Sequence, residues 1–170
     1  PKLFYLLIAC ICKIYYSSCM NKMHKGGCLC GKSRFETYNE PDANIVCHCR
    51  YCQLRTGSPF GNILYFKKKD FKLLSGDLKT YIFYTESGRE WINNFCENCA
   101  TTVYSNLEVR KDHIGIPGGL FDPPTYNYNI SKEVFTRSKA PFVESIKCEQ
   151  TFETSTSYKP VKEDEDRLKG

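Results

Sequence analysis

Cys47-His48-Cys49-Arg50-Tyr51-Cys52 places three thiols within six residues, between two further close pairs, Cys28-Leu29-Cys30 and Cys96-Glu97-Asn98-Cys99. Seven of the eleven cysteines of the chain fall in these three runs. A secreted disulfide scaffold is normally shorter and carries an even number of cysteines. Here the number is odd and the clustering is that of metal ligands. Zinc prefers four tetrahedral ligands, so the distant pairs Cys28, Cys30 and Cys96, Cys99 suit one closed site. Such a site would clamp the first strand region to a later hairpin, and in a small domain it could supply much of the folding free energy.

The central triplet has a different valence. Cys47, Cys49 and Cys52 can wrap one ion and leave its fourth position open, as catalytic zinc sites do. The alternative is a second closed site completed by His24, His48 or His113. For His48, which sits between two cysteines of the triplet, shared coordination is strained. If the position is open, the donor set limits the chemistry. Three thiolates overshoot the charge of Zn²⁺ by one, which makes the ion a poor Lewis acid toward water. A sulfur-rich site is better suited to a further thiol.

Outward from the cysteines the sequence reads as strands. Ser33–Tyr38 alternates polar and apolar residues, the period of a half-buried strand. Ile63–Phe66 and Phe71–Leu74 are short apolar runs either side of Lys67-Lys68-Lys69, which reads as a solvated edge or hairpin rather than a phosphate-binding patch. Leu78–Tyr84 is rich in aromatic and β-branched residues, and Glu90–Phe95, Thr101–Ser105 and His113–Ile116 complete the set. The one helix expected in the core is a turn or two after Cys49, through Arg55. Twelve Tyr and eleven Phe favour pleated surfaces. The fold class is therefore mainly β, with short antiparallel strands in a sandwich or barrel.

A chain of 170 residues suits one domain with extensions. That domain is expected over residues 22–150. Leu3–Cys12 is an apolar run of ten residues, too short to span a bilayer but suited to a signal-peptide core. The chain opens with Pro1 and its first methionines are Met20 and Met23, so residues 1–21 are expected to be an upstream extension or targeting remnant. Residues 151–170 turn polar and mixed in charge and are expected to be a disordered tail. Cys10, Cys12, Cys19 and Cys148 show no ligand spacing. Thiolates hold zinc only when reduced, which points to the cytoplasm or nucleus; secretion is the alternative that residues 3–12 allow.

Several ordered motifs resemble the family of the glutathione-dependent formaldehyde-activating enzyme and centromere protein V. They are Gly26-Gly27-Cys28-Leu29-Cys30-Gly31, the Cys47–Cys52 run with Thr56-Gly57-Ser58-Pro59-Phe60, then Phe95-Cys96-Glu97-Asn98-Cys99. Ile116-Pro117-Gly118-Gly119-Leu120-Phe121-Asp122 and Ser138-Lys139-Ala140-Pro141-Phe142 follow. The resemblance covers about residues 25 to 143. It implies a tent-like arrangement of small antiparallel sheets, a structural zinc on Cys28, Cys30, Cys96 and Cys99, and a catalytic zinc on Cys47, Cys49 and Cys52. The implied activity adds formaldehyde to glutathione to give S-hydroxymethylglutathione, formally a carbon–sulfur lyase. The chain departs from the pattern at Ala100, where Gly usually follows the second knuckle, and at Gln53-Leu54-Arg55, where two Arg are common. It departs also at Phe142, where Trp is common, and across Gly118–Phe121.

On this reading Arg50, Arg55 and Ser58 flank the open position, where an Arg can meet a glutathione carboxylate through a bidentate pair; otherwise they cover the short helix and cap a turn. Trp91 and Phe95 are expected beside the four-cysteine site. Gly118, Gly119, Pro123 and Pro124 read as turn residues. The expected partners are a small thiol and an aldehyde. Two other readings stand beside the lyase. One is a zinc-stabilised module that binds chromatin or cytoskeleton through Lys67–Lys72 or an extension, the other an enzyme of the same fold with another small substrate. Nucleic acid is not expected, because the tail is mixed in charge and not basic.

Overall fold

The structure, a computed structural model, describes residues 22–123, 128–155, 159 and 166–168. The extension expected at residues 1–21, Pro124 and most of the expected disordered tail lie outside the described residues. Three strands form a small sheet in the order β1-β2-β5: β1 (Met23–Gly27), β2 (Arg34–Tyr38) and β5 (Phe71–Ser75). The other eight form one larger sheet: β3 (Ala43–Cys47), β4 (Gly61–Lys67), β6 (Leu78–Tyr84), β7 (Glu90–Cys96), β8 (Thr102–Leu107), β9 (His113–Pro117), β10 (Ile130–Val134) and β11 (Cys148–Thr151). Their order is β11-β10-β3-β4-β9-β8-β7-β6. Among the described residues one α-helix occurs, α1 (Arg50–Thr56), and it joins β3 to β4. The fold is mainly β, as the sequence indicates.

Alternation decides which faces are buried. In β2 Phe35 and Thr37 point inward and are fully buried while their neighbours are half-exposed. The run Ile63-Leu64-Tyr65-Phe66 in β4 is buried at every position, the pattern of a strand covered on both faces. Leu64 and Phe66 face the small sheet and pack with Phe35, Val103, Ile114, Ile116 and Phe121. Ile63 and Tyr65 face the other way, with Ile45, Leu107, Val134 and Phe135 around Cys47 and Cys52. β4 thus separates two cores. The rings of Phe35 and Phe121 meet edge to face at 5.4 Å, a favoured aromatic geometry. Close approach there requires Gly26, since a Cβ would lie 2.4 Å from the Phe35 ring and 2.5 Å from the Leu120 carbonyl oxygen.

Two features differ from the sequence reading. The lysines are solvated, as expected, but do not cap a hairpin: Lys68–Asp70 forms a 3-10 turn that carries the chain from β4 in the large sheet to β5 in the small one, with Lys67, Lys68 and Lys69 exposed. In addition, β10 pairs parallel with both β3 and β11, and these strands were not read from the sequence. Phe152, just beyond β11, packs on the second core, and its N–H donates to the Glu133 carbonyl at 2.8 Å. Ordered structure therefore continues two residues past 150.

Phe35→Ala is expected to destabilise the protein by about 3–5 kcal/mol, the cost of removing a buried ring between the sheets. Urea denaturation measures it. A loss below about 1 kcal/mol would mean that the two sheets do not rely on this contact.

Candidate metal centres

Cys28 directly follows β1 and Cys30 lies in the turn toward β2, while Cys96 ends β7 and Cys99 lies in the turn toward β8. The four Sγ atoms fall within 4.8 Å of one another. Cys28 and Cys30 are 3.5 Å apart and Cys30 and Cys96 3.8 Å. The backbone N–H of Ser33 donates to Cys28 Sγ at 3.2 Å. Hydrogen bonds from the Thr101 hydroxyl and backbone hold the Cys99 thiol down at about 5. Four thiols with no other donor type among them fit a soft divalent cation in a closed site. As the sequence pairing indicates, this cluster ties the small sheet to the β7–β8 hairpin of the large one. Ala100, at the end of the turn, has φ 59° and its N–H donates to the Cys96 carbonyl at 2.9 Å. It therefore occupies the left-handed region that the Gly of the resembling pattern would occupy without strain.

The triplet is built by three consecutive pieces of chain. Cys47 ends β3, Cys49 is the N-cap of α1, and Cys52 is the one buried residue of that helix. The helix stops after two turns because Gly57 takes a left-handed conformation at φ 63°, with its N–H bonded to the Gln53 carbonyl at 2.8 Å. The three Sγ atoms lie within 4.8 Å of one another, and among the described residues no His, Asp, Glu or further Cys joins them. Hydrogen bonds from Cys47 and Cys49, with the Arg55 guanidinium nearby, hold the Cys52 thiol well below its ordinary value. Sharing protons with its two neighbours pushes the Cys47 thiol up. Three crowded thiols of which one is disposed to ionise fit a cation that neutralises all three.

None of the three histidines completes the triplet. His48 is wholly buried and turns away, its Nε2 2.9 Å from Glu133 Oε1. Lys139 Nζ meets the same carboxylate oxygen at 2.8 Å. Burial raises Glu133, but the hydrogen bonds from Lys139 and His48 outweigh it and leave the carboxyl below its usual range. His113 pairs with Asp42 at 2.8 Å. His24 lies edge-on to Tyr128 at 5.4 Å, with desolvation lowering its pKa.

A cavity of about 100 Å³ opens beside Cys47, Cys49 and Cys52, walled by Tyr65, Trp91 and Phe135, with room for several water molecules. Trp91 is thus at the triplet and not beside the four-cysteine cluster. Arg55 stands beside Cys52 and over the Trp91 ring at 5.6 Å, and lines a neighbouring groove. Arg50 points outward, its Nε donating to the Arg167 carbonyl at 3.1 Å, and the Ser58 N–H bonds to Thr56 Oγ1 at 3.3 Å. Neither lines the cavity. Its cations are Arg89 and Arg110, which the sequence reading passed over because they are remote from every cysteine run.

This fold and these clusters define a class, a mainly β protein with a four-thiol cluster joining its sheets and a three-thiol cluster at a cavity. The sequence model of the family described as glutathione-dependent formaldehyde-activating enzyme matches residues 23–138, well over half of the chain, and the chain belongs to that family. A solved structure of a Rhodobacter sphaeroides protein is similar at 19% identity and a TM-score of 0.47, over 61% of this chain and 95% of that one. Among the described residues no helix is long and apolar enough to cross a membrane.

Two substitutions check the local accounts. Ala100→Gly is expected to raise stability by about 0.5–1 kcal/mol, as left-handed strain is relieved against a more flexible unfolded chain; an unchanged or lower melting temperature would contradict it. Glu133→Ala leaves His48 and Lys139 without their carboxylate and is expected to cost about 3–5 kcal/mol. A loss under about 1 kcal/mol in denaturant titration would show that this network does not anchor the Cys47–Cys49 turn.

Proposed function

We propose that the chain is a zinc-dependent carbon–sulfur lyase that makes and breaks the adduct of a small aldehyde with a thiol, with formaldehyde and glutathione as the first pair. In the forward direction a sulfur–carbon bond forms, the thiol proton leaves the sulfur, and the carbonyl oxygen ends as a hydroxyl. The observation that supports this reading is the triplet of Cys47, Cys49 and Cys52 at a cavity, with no fourth donor from the described residues. Cys28, Cys30, Cys96 and Cys99 would hold a structural zinc, and Cys47, Cys49 and Cys52 the catalytic one. Bound there, zinc would supply a preference for a further sulfur donor and little power to activate water, because three thiolates exceed its charge.

The chain's own residues would do the rest. Tyr65, Trp91 and Phe135 wall the cavity and keep bulk water from a thiol and aldehyde held together, which turns a bimolecular encounter into a local one. The Tyr65 phenol, raised by burial, stays protonated. The family match supports glutathione as the thiol. Reduced thiols in both clusters favour a cytoplasmic setting. The competing reading, a binding module with both metal sites closed, would require a fourth donor at the triplet.

Native mass spectrometry of the full chain under reducing conditions, with and without glutathione, tests the proposal. The expected result is two zincs per chain and a glutathione complex that disappears in Cys52→Ser, with formaldehyde consumed in the presence of glutathione by the wild type alone. Two zincs with no affinity for any thiol would overturn it in favour of the binding module.

A further inference from the structure

We propose that Arg110 is the carboxylate receptor of the three-cysteine cavity, so that the site selects thiols carrying a carboxylate over neutral thiols of the same size. This rests on the lyase reading and assigns within it a residue that determines specificity. Arg110 ends the 3-10 turn Glu108–Arg110 between β8 and β9. Leu107 and Val109 of that segment are anchored in the second core, which fixes the turn against the cavity wall. The guanidinium of the half-buried Arg110 lies over the buried ring of Tyr65, its Cζ 4.6 Å from the ring centroid. Stacking on an aromatic face holds the planar fork in place while leaving its in-plane N–H groups for an anion.

Among the described residues no carboxylate lies within salt-bridge distance of Arg110, nor does a hydrogen bond to its side chain occur. A partly desolvated cation without an anionic partner, over the aromatic wall of the cavity, is poised for an incoming carboxylate, which it can take through two parallel hydrogen bonds. The other charges at the cavity compete less well. Arg89 is exposed, where solvent and salt screen it. Glu86 lines the same cavity but faces Arg137 at 3.8 Å, and Glu90, also in the lining, makes no ion pair with Arg110. The cysteines supply the sulfur-seeking end of the site and Arg110 the anion-seeking end, which together describe a thiol acid.

Calorimetric titration of the full, metal-loaded chain with glutathione and with glutathione diethyl ester tests the assignment. The wild type is expected to bind the free acid about ten- to a hundredfold more tightly than the ester. Arg110→Met should remove that preference while leaving the affinity for the ester within about twofold, Arg110→Lys should retain part of it, and Arg89→Met should retain it. Circular dichroism of each variant confirms folding. A wild type without preference, or an Arg110→Met variant that keeps it, overturns the role of Arg110 and leaves the lyase reading standing. Failure of the wild type to bind either compound overturns both.

Discussion

Four thiols held within 4.8 Å of one another are the constraint on which both sheets depend. Cys30 and Cys96 stand 66 residues apart in the chain, yet closing a loop of that length costs only a logarithmic increment in entropy. The greater cost is electrostatic. Ionisable thiols at this spacing suppress one another's charge, since each thiolate raises the energy of the next. A divalent cation bound there would convert that repulsion into attraction, and its binding free energy would become folding free energy. The three-stranded sheet would gain most from it. Apart from the cluster, it is tied to the large sheet by Phe71 against Tyr104 at 4.9 Å and to the segment after β9 by Phe35 against Phe121, the Asp122 N–H on the Lys25 carbonyl and the paired hydrogen bonds of Arg34 with Asp122.

The second cluster depends on a different device. Cys47 and Cys49 flank His48, and a chain bending from strand into helix at that point could turn the imidazole toward the thiols. Instead the His48 N–H is bonded to the Val134 carbonyl at 3.0 Å, and its ring is drawn to Glu133, which is itself held by Lys139. β10 is placed to do this because it runs parallel beside β3, with Val134 opposite Cys47 and Glu133 opposite Val46. A buried carboxylate with two partners is costly to assemble but fixes one orientation strongly. Here that orientation keeps the histidine out of the cluster and leaves three thiols facing the cavity.

The parts of this fold that local chemistry specifies were readable in the sequence. β6 runs over the aromatic and β-branched residues Leu78–Tyr84 that mark it, and α1 occupies the turn or two expected after Cys49. Of the strands that went unread, β3 (Ala43–Cys47) is short, apolar and β-branched and ends in the cysteine run itself; the other three owe little to local pattern. β1, Met-His-Lys-Gly-Gly, carries two glycines and is a strand because it pairs with β2 over a tightly approached Phe35 ring. β10 and β11 are polar, and parallel pairing across distant segments leaves no turn signal. The candidate sites divide in the same way. Both cysteine clusters follow from spacing, whereas Trp91 and Arg110 reach the triplet only through the order in which β7, β8 and β9 stack beside β4. Arg50 and Ser58, close to the triplet in sequence, are carried away from it by the direction of the short helix.

The left-handed backbone of Phe135 shows how far the cavity is shaped by its surroundings. A bulky residue at φ 59° bears a strain of about 1–2 kcal/mol. Phe135 is buried at 5% exposure within the core that contains Cys47 and Cys52, and burying an aromatic ring is worth about 1.5–3 kcal/mol, enough to offset that strain. The residue after it is fixed as well, since the Thr136 N–H donates to the Phe152 carbonyl at 3.2 Å while the Phe152 N–H donates to Glu133. The strain therefore persists because packing on one side and the β10–β11 edge on the other leave no relaxed alternative. Its consequence is local and chemical. The sharp turn after β10 puts an aromatic face against the thiols at the position where a regular strand would have continued past them, so the segment that orients His48 through Glu133 also closes one wall of the cavity.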